Sequence, residues 1–186
     1  VFEGYSQIFW GIFITTFNIK FGTVKILLVF VGLLLVSNGL RKLYEETKIE
    51  SFHKAQKIGL LATAMSFIAG ILDYFYNGLI NHSIFMLIWM VLYQLLELIL
   101  FFKTLESSIE YLAYNNYPDA ANENTQKLKS YTIISIINIV LLNFTFLFNI
   151  NVLMFFVPII GIILKIFMMV LIHRLKKIFM KAENSL

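Results

Sequence analysis

Six apolar runs, at roughly 5–19, 26–40, 58–76, 84–102, 131–148 and 152–173, take up most of a 186-residue chain and leave only short polar stretches between them. A bilayer core about 30 Å thick needs about 20 apolar residues per helix. Inside lipid every backbone N–H and C=O must be satisfied within the protein, so runs of this kind restrict the chain to helices that cross. Composition agrees: 59% of the residues are hydrophobic and 14% charged, against about one half and about one quarter in a soluble domain. The predicted fold class is all-α and integral to the membrane. Residues 1–186 form a single transmembrane helical bundle of six spans, arranged as three helical hairpins.

The stretch FNIKFGTVKILLVFVG, residues 17–32, decides the count of spans. Read as part of one long span, it would carry Asn18, Lys20 and Lys25 through the bilayer centre, at about 2.5–3.5 kcal/mol for each lysine. Read as the turn of a hairpin, it lets the same lysines reach the interface at little cost. The hairpin reading is favoured. Two further short turns follow, YNGLINHS at 76–83 and NIN at 149–151. The first run has no basic leader and no small-residue cleavage site, so it reads as a span rather than a signal peptide.

Charge orients the bundle. Twelve of the fifteen Lys and Arg fall in the connections at 41–57 and 103–130 and in the C-terminal tail, and the positive-inside rule makes that side cytoplasmic. Both termini are then expected inside, in the cytoplasmic membrane of a bacterial cell. These lysines flank the spans, so they set topology rather than bind nucleic acid. RKLYEETKIESFHKAQK, at 41–57, carries mixed charge and no breaker, and it reads as a surface helix or as a continuation of the second span. The connection at 103–130 places Leu105, Ile109 and Leu112 on one face and breaks at Pro118-Asp119. Either segment reads as a partner surface or as a solvated linker.

Small and polar residues share helical faces. Gln7, Gly11, Thr15 and Asn18 form one stripe, and Ala62, Ser66, Gly70 and Asp73 repeat its spacing. Such faces let membrane helices pack closely. Asn18, Asp73 and Asn149 each end an odd-numbered run, a weak sign of internal repetition.

Ionisable residues within spans usually face the interior and find partners. Here they are Asp73, Glu97 and Lys165, and Glu97 and Lys165 lie at comparable depth. Two readings stay open for them: a structural ion pair, or part of a substrate or ion path. Pro158, Gly161 and Lys165 share a face, Ser135, Asn138 and Thr145 form a polar stripe, and Gln94 precedes Glu97 by one turn. Gln94, Glu97, Asn138 and Lys165 are the candidate polar pocket. Gly11, Thr15, Ala62, Ser66, Gly70 and Gly161 are the candidate packing positions. Trp89 and Tyr93 are the candidate aromatic wall of a ligand site, and Tyr5 and Trp10 are placed at span ends as interfacial anchors.

Catalytic signals are weak. With no cysteine, disulfides, thiolate metal sites and thiol nucleophiles drop out. His53, His82 and His173 lie far apart in sequence, without the spacing of a metal motif. Asp73 and Glu97 are placed in opposite halves of the bilayer, too far apart to share a proton. No catalytic residue, metal or cofactor is expected.

Phe17, Asn18, Ile19, Lys20, Leu27, Phe30, Gly32, Gly39 and Leu40 match the pattern of a group of small polytopic membrane proteins of Gram-positive bacteria, which this N-terminal quarter resembles. Leu28 stands where that pattern has proline. The plan of six spans with almost no soluble mass also looks like the substrate-binding membrane subunits of energy-coupling-factor transporters, although their alanine-spaced motif is missing. The leading expectation, drawn from ionisable and amide residues at similar depth on several helices, is a non-enzymatic small-solute transport component working with partner subunits. The alternative expectation is a membrane-embedded regulatory, sensor or immunity protein, meeting another membrane protein through Ala62, Ser66 and Gly70.

Overall fold

The computed structural model describes residues 1–17, 26–76, 84–148 and 150–183. They form six α-helices: α1 (Phe2–Thr16), α2 (Ile26–Thr47), α3 (Glu50–Tyr76), α4 (Ile84–Tyr114), α5 (Pro118–Phe148) and α6 (Asn151–Glu183). Each apolar run falls in its own helix. Each helix packs on its neighbour in sequence, and α6 closes back on α1, so the bundle is a ring. The expected turn at Lys20 and Lys25, the turn at 77–83, and Asn18 and Asn149 lie outside the described residues, as does the Asp73 side chain.

Glycine makes the seam between α1 and α2. A Cβ on Gly11 would lie 2.5 Å from the Gly32 carbonyl oxygen, and one on Gly32 would lie 2.7 Å from the Gly11 oxygen. Seven residues along, Gly39 and Gly4 repeat the contact, with a Cβ on Gly39 falling 2.6 Å from the Gly4 oxygen. Two layers of backbone therefore touch directly, as small residues permit between membrane helices. Residue numbers rise along one helix as they fall along the other, so the pair is antiparallel, and the Lys42 ammonium reaches Glu3 at its end. α1 and α2 are therefore two helices packed antiparallel rather than one continuous helix.

The two segments read from sequence as longer connections are helical almost throughout, and the turns are short. α2 runs to Thr47 and stops in an αL cap: Lys48 has φ 59° and its N–H donates to the Tyr44 carbonyl at 2.8 Å. The absence of Gly or Pro had hidden this breaker. At the next basic turn Asn116 has φ 61°, its N–H bonding Ala113 O at 3.2 Å while Tyr117 N–H bonds Leu112 O at 3.0 Å. That is a Schellman motif with Asn at the left-handed position. Pro118, expected as the break itself, instead opens α5, where a first helical residue needs no N–H donor. Neither segment is a solvated linker.

α4 and α6, with 31 and 33 residues, are about 46 and 50 Å long. Both exceed a hydrocarbon core of about 30 Å. The surplus lies at the basic end, where the helices continue as a packed head. There the Tyr5 ring stacks on Phe179 with centroids 5.5 Å apart, and Phe52, Leu105 and Leu112 are fully buried. Tyr5 is thus core rather than an interfacial anchor, whereas Trp10 is exposed. The Ser51 hydroxyl meets Glu110 across α3 and α4. Lys176 Nζ lies 3.9 Å over the Phe2 ring and 3.4 Å from Ser6 Oγ, tying α6 to α1.

The exposed surface of the lower bundle is apolar, including Ile133, Ile137, Val140, Phe148, Val152 and Phe155. α3, α4, α5 and α6 are each long and apolar enough to cross a membrane. α1 spans about 22 Å, short of a full crossing by itself, and α2 turns charged from Arg41 onward.

Candidate functional site

The residues singled out for a pocket do meet. Glu97 on α4 and Lys165 on α6 form an ion pair, Oε1 to Nζ 2.6 Å, with side chains 13% and 24% exposed. They border a cavity of 260 Å³ that Gln94, Asn138 and Gly161 also line. Four helices contribute: α1 through Thr15 and Thr16, α4, α5 through Tyr131, Ser135 and Asn138, and α6 through Pro158, Gly161, Leu164 and Lys165. The antiparallel contact of α1 with α6, seen at Tyr5–Phe179 and again at Phe9–His173 with centroids 5.9 Å apart, brings the last turn of α1 level with Lys165. The partial negative charge of that helix end adjoins the same space.

Local sequence explains how each group is aimed. Gln94 and Glu97 are three apart, so both project from one face of α4. Asn138 and Ser135 do the same on α5, and Gly161 and Lys165 on α6. Gly161 leaves room for the α5 amide, since a Cβ there would come no nearer than 3.4 Å to Asn138 Nδ2. Pro158 supplies no N–H to the carbonyl four residues earlier, that of Met154, and so opens the helical ladder one turn before Gly161.

Polar groups in this region are incompletely matched. Asn143 Nδ2 donates to Gln94 Oε1 at 3.0 Å and to its own helix at Ile139 O, 2.7 Å away. The Asn138 amide oxygen and the Tyr93 hydroxyl are buried without a hydrogen-bond partner among the described residues. A buried carbonyl or hydroxyl left unpaired costs about 1–3 kcal/mol. An unpaired amide beside a cavity therefore favours a polar occupant.

Several expectations are corrected here. The aromatic lining comes from Tyr131 and Phe101, not from Trp89 or Tyr93. Thr145, expected in the α5 stripe, is fully buried, and its hydroxyl donates back to Leu141 O of its own helix at 2.7 Å. Asn143 makes the interhelical bond to Gln94, and its spacing of five from Asn138 puts it off the face that sequence periodicity selects. Thr15, read as a packing residue, is also a cavity residue. Ala62, Ser66 and Gly70 are buried within the chain's own bundle, so another protein would not meet that face. Gly11 meets Gly32 and Gly4 meets Gly39; the sequence singled out Gly32 and Gly39 only through the N-terminal resemblance, and Gly4 not at all.

Fold and site together define a class: an all-helical, multi-pass membrane protein with a charged pair bordering a cavity. No protein-family model matches the chain, and no curated protein or solved structure is significantly similar to it.

Proposed function

We propose that this protein is a non-enzymatic transport component of a bacterial cytoplasmic membrane, holding a small polar solute in the cavity among Gln94, Glu97, Asn138 and Lys165. All six helices cross in this reading, with the basic head and both ends of the chain in the cytoplasm. The likeness to substrate-binding subunits of energy-coupling-factor transporters belongs to the same proposal. So does the reliance on partner subunits.

One observation carries the reading. A purely structural ion pair within spans needs only its own two partners and protein around it, since what is costly is a charge left facing hydrocarbon or without a partner. Here the Glu97–Lys165 pair instead borders 260 Å³ of open space, beside an asparagine whose buried amide oxygen lacks a partner. Native mass spectrometry of the gently solubilised protein tests it. A small-molecule adduct should be retained by the wild type and lost from Glu97→Ala and Lys165→Ala. An adduct that persists in both variants, or none in the wild type, would remove the site.

A further inference from the structure

We propose that the cavity takes an amino-acid-type zwitterion, a solute of zero net charge with one ammonium and one carboxylate, bound by exchange with the Glu97–Lys165 ion pair. The inference rests on the solute-pocket reading above. Three observations lead to it.

Charge balance comes first. The cavity is lined by one carboxylate and one ammonium, paired at 2.6 Å and mostly withdrawn from solvent. A solute with a single charge would compensate one member of the pair and strand the other in a low-dielectric interior, which is heavily penalised. A zwitterion replaces the one direct pair by two: its carboxylate on Lys165 and its ammonium on Glu97. No charge is left alone. A wholly uncharged solute would leave the pair closed and engage only the amides.

Hydrogen bonding comes second. The Asn138 side chain lines the cavity, and its amide oxygen, buried within the wall, has no hydrogen-bond partner among the described residues. It requires a donor. An ammonium has three N–H groups, enough to serve Glu97 and, once the Asn138 amide turns toward the cavity, its oxygen as well.

Size comes third. A volume of 260 Å³ lies below the roughly 300–1,000 Å³ of pockets for drug-sized ligands. It suits an amino acid and is small for a nucleotide.

The test uses the full chain in detergent and follows thermal unfolding by intrinsic fluorescence. Each of the twenty standard L-amino acids is added at millimolar concentration. The one giving the largest shift is then compared with its decarboxylated amine and its deaminated acid; for L-valine these are isobutylamine and 3-methylbutanoate. At least one amino acid should raise Tm by about 3 °C or more, and neither of its analogues should do so. Single variants should invert the preference. Glu97→Gln leaves Lys165 uncompensated and should respond to the acid, whereas Lys165→Met should respond to the amine. The charge-neutral double variant Glu97→Gln/Lys165→Met checks folding by circular dichroism and elution volume.

A flat response to all twenty amino acids, or an analogue as effective as its parent on the wild type, overturns the zwitterion assignment. The solute pocket itself survives either result if native mass spectrometry still finds an adduct that depends on Glu97 and Lys165. A flat response together with no such adduct removes both readings.

Discussion

Placing a methyl group in the glycine seam gives the most direct measure of what holds α1 to α2. In Gly11→Ala the new Cβ would stand 2.5 Å from Gly32 O, 2.7 Å from Val36 Cγ2 and 2.8 Å from Val36 N. Two of the three obstacles are backbone and cannot rotate aside. Ordinary contact begins near 3.4 Å, so the helices must part by about 0.9 Å at this level. A gap of about 0.5–1 Å forfeits a quarter to a half of each dispersion well, and Ile8, Ile12, Leu33 and Val36 are all fully buried along the seam. With about 20 atom pairs at about 0.15 kcal/mol each, the loss is about 1 kcal/mol. Strain of the usual overpacking size brings the total to about 2 kcal/mol.

Gly161→Ala is the matched control, since its Cβ would meet only Asn138 Nδ2 at 3.4 Å. Both variants gain the same helix propensity, about 1 kcal/mol, so the difference between them isolates the contact. Unfolding in mixed micelles by rising dodecyl sulfate fraction, followed by far-UV circular dichroism, reads that difference. Gly11→Ala should unfold earlier than the wild type and Gly161→Ala at or beyond it. Adding Gly32→Ala to Gly11→Ala should cost less than the sum of the two singles, because the helices are already apart. Equal stability of Gly11→Ala and Gly161→Ala within about 0.5 kcal/mol would refute the seam.

Three further outcomes are expected. Lys165→Met strands the Glu97 carboxylate and should cost about 3–5 kcal/mol in the same unfolding assay, while adding Glu97→Gln should recover most of it. Lys48→Gly relieves a left-handed residue that carries a side chain and should stabilise by about 0.5–1 kcal/mol, provided the αL cap is as described; no gain would argue against that cap. Because the chain has no cysteine, Glu45→Cys and Tyr114→Cys introduce single labels at exposed positions beside the two basic turns. An impermeant thiol reagent should reach both from the same side of the membrane, and reaction from opposite sides would break the proposed topology.

The pocket was legible to the extent that burial rules speak at single positions. Glu97 and Lys165 announced themselves because an ionisable residue among apolar neighbours must find a partner, and Gln94 and Asn138 followed from helical spacing. Tyr131 and Phe101 were not singled out, since an aromatic in a span is equally at home against lipid, against another helix or against a ligand. Asn143 was missed for a related reason: its bond to Gln94 depends on the rotation of α5 against α4, which periodicity within one helix does not fix. The glycine seam was half visible, as Gly11 lay on a small-residue stripe whose opposing glycines could be matched to it only once the register of α2 was known.

By itself the sequence determined the solvent and the segments. A chain so apolar, with charge gathered in a few places, is confined to helices in lipid, and the lysines at 20 and 25 cost too much to be carried through the bilayer centre. Local chemistry also placed the elements, because each helix satisfies its own backbone. Tertiary structure decided what depends on two helices at once: the ring closed by α6 on α1, the backbone contact at the glycines, the packing of the basic-end segments into a helical head, and the 2.6 Å approach of Glu97 to Lys165. Those contacts join residues as far apart in the chain as Tyr5 and Phe179, and no local rule reaches that far.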